Sequence, residues 1–261
     1  MSRVVAILQA RIGSTRLPAK VLADVGGLPL LARVIARATR IPGVDAVVVA
    51  TSVHARDQAV IDVARANGVG WFAGSEADVL DRYYRAARDA RAAVVVRLTA
   101  DCPLLDPAVS GLVLARFREG QTDYVSNVHP PTYPDGLDTE VFSFGALEQA
   151  WTHAREPAER EHVTPYIWGT PGTFRISNVE HSEDLSSHRW TVDEPEDLEF
   201  VRGVYRLIGC ERFGMEEVLD LLEREPSLAR HKDRRDACGP CTNTAARAGA
   251  PARGHDDTQI R

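Results

Sequence analysis

The strongest constraint on this chain is a set of short runs that are apolar at nearly every position, set between segments with helical periodicity. Val4-Val-Ala-Ile-Leu8, Ala46-Val-Val-Val-Ala50 and Ala93-Val-Val-Val-Arg-Leu98 are rich in β-branched residues and almost free of polar ones. A strand with one wet face alternates apolar and polar residues, whereas a run with no alternation has to be covered on both faces. Between the runs, Leu30, Leu31, Val34, Ile35 and Ala38 recur with a 3.6-residue period behind Pro29, a residue suited to a first helical turn. Similar patterns predict helices over 57–66, 78–90 and 107–118 and a short strand over 69–72. Strand and helix in strict alternation give an α/β fold, a Rossmann-like three-layer sandwich with a mostly parallel sheet. Ligands of such sheets bind outside the carboxyl ends of the strands, so the loops after Leu8, Ala50 and Leu98 are where function is expected.

Beyond residue 124 the rhythm changes. His129-Pro-Pro-Thr-Tyr-Pro-Asp-Gly136 is dense in turn formers, and Glu140-Val-Phe-Ser-Phe144 alternates like a half-exposed strand. A small inserted lobe is expected at about 127–144, with a homodimer contact, since Val141, Phe142 and Phe144 would leave apolar surface in water. Helices follow over 145–153 and 157–168 and from Pro195, with strands over 174–178 and 189–192. One domain is expected over 1–235. Residues 236–261 carry no periodic apolar face and are expected to be a disordered tail. Cys238-Gly-Pro-Cys241 has the spacing of a redox motif, but no strand precedes it and no helical pattern follows, which disfavours that role.

Composition narrows the function classes. At 261 residues and 44% hydrophobic the chain can bury one sizeable core. The net charge of -6 is spread along the sequence, without a Lys/Arg block interleaved with aromatics, so no nucleic-acid footprint is expected. No apolar run reaches the ~20 residues of a membrane span, and four scattered cysteines suit a reducing compartment. A cytoplasmic protein without membrane contact is expected.

The loop after the first strand, Gln9-Ala-Arg-Ile-Gly-Ser-Thr-Arg-Leu-Pro-Ala-Lys20, sets Arg11, Arg16 and Lys20 around Gly13 and Ser14. Glycine admits backbone N–H groups to phosphate oxygens, arginine forks bind them bidentately, and lysine adds a mobile point charge. A triphosphate site accounts for this combination better than a solvated basic loop does. Neither the Walker pattern nor a G-x-G-x-x-G is present. Asp101 follows the strand ending at Leu98. Asp193 precedes the helix at Pro195 and suits either a metal or an N-cap role.

Ala-Arg-x-Gly-Ser-x-Arg-Leu-Pro-x-Lys resembles the first motif of the CMP-sugar-acid synthetases, which include the acylneuraminate and KDO cytidylyltransferases and a spore-coat polysaccharide branch. The resemblance to that branch continues through Asp78-Val-Leu-Asp-Arg-Tyr83, Arg97-Leu-Thr-Ala-Asp-Cys-Pro-Leu104, Gly136-Leu-Asp-Thr-Glu-Val-Phe142, Glu159-Arg-Glu-His-Val-Thr-Pro165 and Trp190-Thr-Val-Asp-Glu-Pro-Glu-Asp197. It covers roughly residues 3–210. It implies transfer of CMP from CTP to a small acidic acceptor, a sialic-acid-like or other sugar acid, with release of pyrophosphate. It also places Asp101 and Asp193 on Mg²⁺. Gln9, Ala10, Thr51, Ser52, Gly74, Ser75 and Thr99 are expected around the nucleotide, Ser75 being equally suited to a helix cap. Arg97 either faces the same edge or pairs with a carboxylate.

The second half is expected to hold the acceptor through Asn127, through Asp138 and Glu140 on one strand face, and through Glu161 and His162 on a helix. Arg160 and Arg175 are further candidates for an acceptor carboxylate. Competing classes are a sugar-1-phosphate nucleotidyltransferase, which favours a more glycine-rich first loop, and a glycosyltransferase, which favours an Asp-x-Asp motif. A phosphonate acceptor, and a non-catalytic nucleotide-binding protein on the same fold, also stay open.

Overall fold

A computed structural model of the chain describes residues 2–230. The expected tail and the Cys238/Cys241 pair lie outside the described residues. Strands β1 (Val4–Gln9), β4 (Ala46–Ser52), β5 (Gly70–Gly74) and β6 (Val94–Thr99) form the parallel half of a seven-stranded sheet. The sheet runs β5-β4-β1-β6-β8-β7-β9, where β7 is Tyr124–Ser126, β8 is Glu140–Ser143 and β9 is Ile176–Asn178. Only β8 runs antiparallel to its neighbours. Asp24–Val25 (β2) and Leu28–Pro29 (β3) make a separate small hairpin.

The pleat explains why the strands are apolar throughout. Val4, Ala6 and Leu8 of β1 point into one core, shared with α1 (Leu30–Ala38), α2 (Gln58–Ala66), α4 (Pro107–Arg118), α8 (Pro195–Ile208) and α9 (Met215–Arg224). Val5 and Ile7 point into the other, with α3 (Val79–Asp89), α5 (Phe144–His153) and Ile167 of α7 (Pro165–Gly169). Val4 to Leu8, five of the six β1 residues, are at most 1% exposed. Two cores, one per face, are what a run without alternation requires. No described helix is long and apolar enough to cross a membrane.

The expected elements of the first half agree with these bounds to within a residue or two. The second half departs in three places. The expected lobe is a loop whose return strand β8 joins the main sheet between β6 and β7, with Val141 and Phe142 fully buried. Phe144 is half-buried and stacks on Tyr84 at 5.6 Å. The apolar surface from which a dimer contact was expected is thus core. The helix expected over 157–168 is broken into α6 (Pro157–His162) and α7 at Val163, whose φ of 74° ends the first helix. A β-branched residue takes that conformation only where packing compels it, and Val163 is fully buried. Residues 189–192 form no strand beyond an isolated bridge between Asp135 and Arg189.

Candidate active site

Strands β4 and β5 lie to one side of β1 and β6 to the other, so the loops leaving β1 and β6 diverge and open a crevice. A cleft of about 250 Å³ occupies it, lined by Gln9, Ala10, Arg11, Gly13, Ser14, Thr15, Arg16, Lys20, Val21, Thr99, Ala100, Asp101 and Asp193. The expected phosphate loop, Thr99 and both metal candidates therefore share one cavity.

The loop is held from behind. Ala10 N–H donates to Ala50 O at 3.1 Å and Ile12 N–H to Asp57 Oδ1 at 2.8 Å. At Gly13 a side chain would lie 2.7 Å from the Arg56 guanidinium, so only glycine fits there without displacing that arginine. Arg11 and Arg16 keep 43% and 58% of their side chains in solvent.

Lys20, expected as a mobile point charge, is instead held within the protein. It is 8% exposed, and Nζ donates to Asp101 Oδ2 at 2.9 Å, Asp193 Oδ1 at 2.8 Å and Val192 O at 2.7 Å. All three ammonium protons are thereby used. Burial alone would lower the Lys20 pKa, but the two carboxylates outweigh it and hold the group above its ordinary value. Burial would likewise raise Asp101, and Lys20 with the Thr99 hydroxyl overrides it and keeps that carboxyl below its ordinary value.

Asp193 reaches Asp101 through backbone. Val192 N–H donates to Asp101 O at 2.9 Å, tying the segment before α8 to the loop after β6. Asp193 is not the cap of α8, whose N-cap is Glu194. The fully buried Asp197 accepts from Asp193 N–H at 3.0 Å and Glu194 N–H at 2.9 Å, and pairs with Arg189 at 3.1 and 3.0 Å. Arg16 takes the outer oxygen of Asp193 at 2.9 Å.

Other expected residues lie elsewhere. Thr51 and Ser52 are buried at the end of β4, and the Ser52 hydroxyl donates to Asp57. Gly74 is crowded by Phe72 and Arg82. Ser75 Oγ accepts from Asp78 N–H at 3.0 Å, while Asp78 itself caps α3. Asn127 is 1% exposed with both ends of its amide on backbone, donating to Leu137 O at 2.9 Å and accepting from Thr139 N–H at 2.8 Å.

Glu140 is 5% exposed and is bonded to Arg97, Tyr124 Oη (2.6 Å) and Thr164 Oγ1 (2.6 Å). Asn127 and Glu140 thus have their polar groups engaged within the protein rather than turned to the cleft, and Arg97 takes the carboxylate-pairing role. Asp138 precedes β8 rather than sharing a strand face with Glu140, and it is exposed, as are Glu161 and His162 on α6. Arg160 is committed to Asp78 at 3.1 Å and Arg175 to Asp123 at 3.0 Å.

Sequence reasoning missed Asp57, Arg189 and Asp197. Only Asp197 carried a local signal, as the acidic residue three positions after Glu194 in a capping box. Asp57 acts on Ile12, 45 residues away, and Arg189 pairs with Asp197 eight residues on across a break in regular structure, where no helical or strand period links them.

Comparison with known proteins agrees with this geometry. Residues 5–220 match the cytidylyltransferase family model. The chain is 32% identical over 243 residues to the spore coat polysaccharide biosynthesis protein SpsF of Bacillus subtilis, covering 89% of this chain and 99% of that one. It is also 32% identical over 241 residues to a 3-deoxy-manno-octulosonate cytidylyltransferase of Anaeromyxobacter dehalogenans, covering 78% and 98%. A solved cytidylyltransferase structure from Leptospira borgpetersenii superposes with a TM-score of 0.85 at 30% identity, over 89% of this chain and 99% of that one. On the matched family model, these relatives and the shared seven-stranded sheet, this chain belongs to the cytidylyltransferase family of nucleotidyltransferases.

Proposed function

We propose that the protein transfers CMP from CTP to a small acidic acceptor, a sugar acid of the KDO or sialic-acid kind, with Mg²⁺ as cofactor. The observation that carries this reading is the Lys20 ammonium shared by Asp101 and Asp193 inside a cleft rimmed by Arg11 and Arg16.

The donor set suits Mg²⁺. Two carboxylates already gathered about one cation are hard oxygen ligands, and Mg²⁺ typically takes one or two of these and completes its shell with water and phosphate oxygens. Among the described residues no group of three or more His, Cys, Asp or Glu gathers into an all-protein cage. Bound there, the ion would supply Lewis-acid polarisation of the phosphate and lower the pKa of the attacking hydroxyl.

The chain's own residues provide the rest. Lys20 fixes the separation of the two carboxylates. Arg11 and Arg16 at the rim take the charge of the departing pyrophosphate, a role worth ~2–4 kcal/mol per preorganised donor. The loop backbone about Gly13 and Ser14 receives the phosphates. Gln9 Oε1 and Thr51 Oγ1, at the carboxyl ends of adjacent strands, are buried without a hydrogen-bond partner among the described residues, which supports a base or ribose contact near them. Asp138, Glu161 and His162 are the proposed acceptor contacts.

The test is pyrophosphate release with each of the four nucleoside triphosphates, Mg²⁺ and a panel of sugar acids and phosphonates. The expected result is release with CTP and one acid, reduced at least about 100-fold in Asp101→Asn with the circular-dichroism spectrum unchanged. Release that persists in Asp101→Asn, or that occurs only with neutral sugar 1-phosphates, would sink this reading.

A further inference from the structure

A second cavity, of about 160 Å³, lies between the end of α1 and the segment before α9, and is lined by Arg33, Arg37, Arg40, Tyr205, Glu211 and Arg212 together with Ala36. Four guanidinium groups face one carboxylate there. Arg33 is accounted for within the protein: it donates to Val25 O (2.9 Å), Gly26 O (2.7 Å) and Glu211 Oε1 (2.6 Å). The others are not. Arg37 is 1% exposed and stacked on the Phe213 ring at 4.1 Å, with Nε and Nη1 engaged, yet its Nη2 is buried without a hydrogen-bond partner among the described residues. The Arg212 side chain makes no hydrogen bond or ion pair with a described residue, while Arg40 Nε donates to Ala36 O of its own helix at 3.1 Å and its Nη2 reaches Glu211 O only at a long 3.5 Å.

Arginines near a helix C-terminus are favoured by the helix dipole, but that preference needs no cavity and does not bring three of them together. Like charges so close repel. Burial, and after it the Arg37 charge, pulls the Arg40 pKa below its ordinary value. An unpaired buried guanidinium nitrogen is costly, and an anion held in the space offsets the repulsion among the three charges. Arginine forks match the geometry of phosphoryl oxygens.

We propose that this cavity is an anion-binding site, separate from the nucleotide cleft, that takes a phosphoryl group through Arg37, Arg40 and Arg212. It sits directly behind the catalytic loop: Arg37 Nη1 donates to Leu105 O at 3.1 Å and Tyr205 Oη to Pro103 O at 2.9 Å, just past Asp101. The proposal does not depend on the acceptor or the metal of the reaction.

Phosphorus NMR line broadening tests it, with inorganic phosphate and glycerol phosphate as probes and circular dichroism confirming the fold of each variant. The Arg11→Gln/Arg16→Gln chain, with the nucleotide cleft disarmed, is expected to broaden the signal still. The Arg40→Gln/Arg212→Gln pair, both exposed positions, added to that background should weaken the apparent affinity at least tenfold. Broadening of both probes marks the free phosphate group as the ligand; broadening of glycerol phosphate alone marks a phosphate ester. Undiminished broadening after Arg40→Gln/Arg212→Gln, or no broadening of either probe by Arg11→Gln/Arg16→Gln, overturns the proposal.

Discussion

Replacing Glu140 with Gln separates a structural role from a substrate-binding one. Glu140 keeps 6% of its side chain exposed and Arg97 16%, and each is the other's counter-charge across adjacent strands. The amide oxygen of Gln can still accept from Tyr124 and Thr164, so those two bonds survive and the change isolates the charge. What is left is a guanidinium in a largely buried setting facing an amide that cannot neutralise it. Removing one member of a buried pair costs about 3–5 kcal/mol, and the partial exposure of Arg97 argues for the lower end, about 3 kcal/mol. With total stabilities of roughly 5–15 kcal/mol, that is a large fraction. In urea unfolding, a slope of ~3 kcal/mol/M turns it into a midpoint shift of about 1 M.

Charge is the stated cause, so adding Arg97→Met to Glu140→Gln should restore most of the loss. The pH dependence has a definite sign. Burial would raise the Glu140 pKa, but Arg97 with the Thr164 and Tyr124 hydroxyls holds it below the ordinary value of 4.5. Its stabilisation is therefore present above that ordinary value and is lost as the pH falls through the lower folded-state pKa, so wild type and Glu140→Gln converge in acid. A Glu140→Gln variant within about 0.5 kcal/mol of wild type, with a raised KM for the acceptor, would refute the reasoning and return Glu140 to the acceptor site.

Lys20→Met leaves Asp101 and Asp193 facing one another without their shared cation, so its melting temperature should fall, and Mg²⁺ should raise it by more than it raises that of wild type; equal Mg²⁺ shifts in calorimetry would contradict the shared-cation account. Phe142→Ala empties a fully buried position on an inner strand and should cost about 3–5 kcal/mol in chemical denaturation; a loss under 1 kcal/mol would mean that β8 is peripheral after all.

The first half of the fold was legible because its information is local. Apolar runs such as Ala46-Val-Val-Val-Ala50 and the periodic face of α1 each declare their state within a few residues. β8 was misplaced because the polar residues that frame it, Glu140 and Ser143, look like a wet face, and nothing local says that Glu140 finds Arg97 43 residues away. The loop from Gln9 to Lys20 was legible as a candidate phosphate loop through its composition. The role of Lys20 within it was hidden, because its two carboxylates lie 81 and 173 residues along the chain. A tertiary ion pair has no sequence period, so spacing arguments pass over it. The break at Val163 escaped for the same reason: it is imposed by packing and by the Thr164 hydroxyl reaching Glu140.

The hydrogen bond from Val192 to Asp101 has a bearing on biosynthesis. As the chain leaves the ribosome, the glycine loop, Lys20 and Asp101 emerge before their last partners, and Lys20 waits for acceptors 172 and 173 residues further on. Until residues 192 and 193 arrive, Lys20 lacks two of its three acceptors and the cleft lacks a wall. The protein cannot acquire its finished cleft during the early part of its own translation, and completion of the cleft reports that the second half has docked.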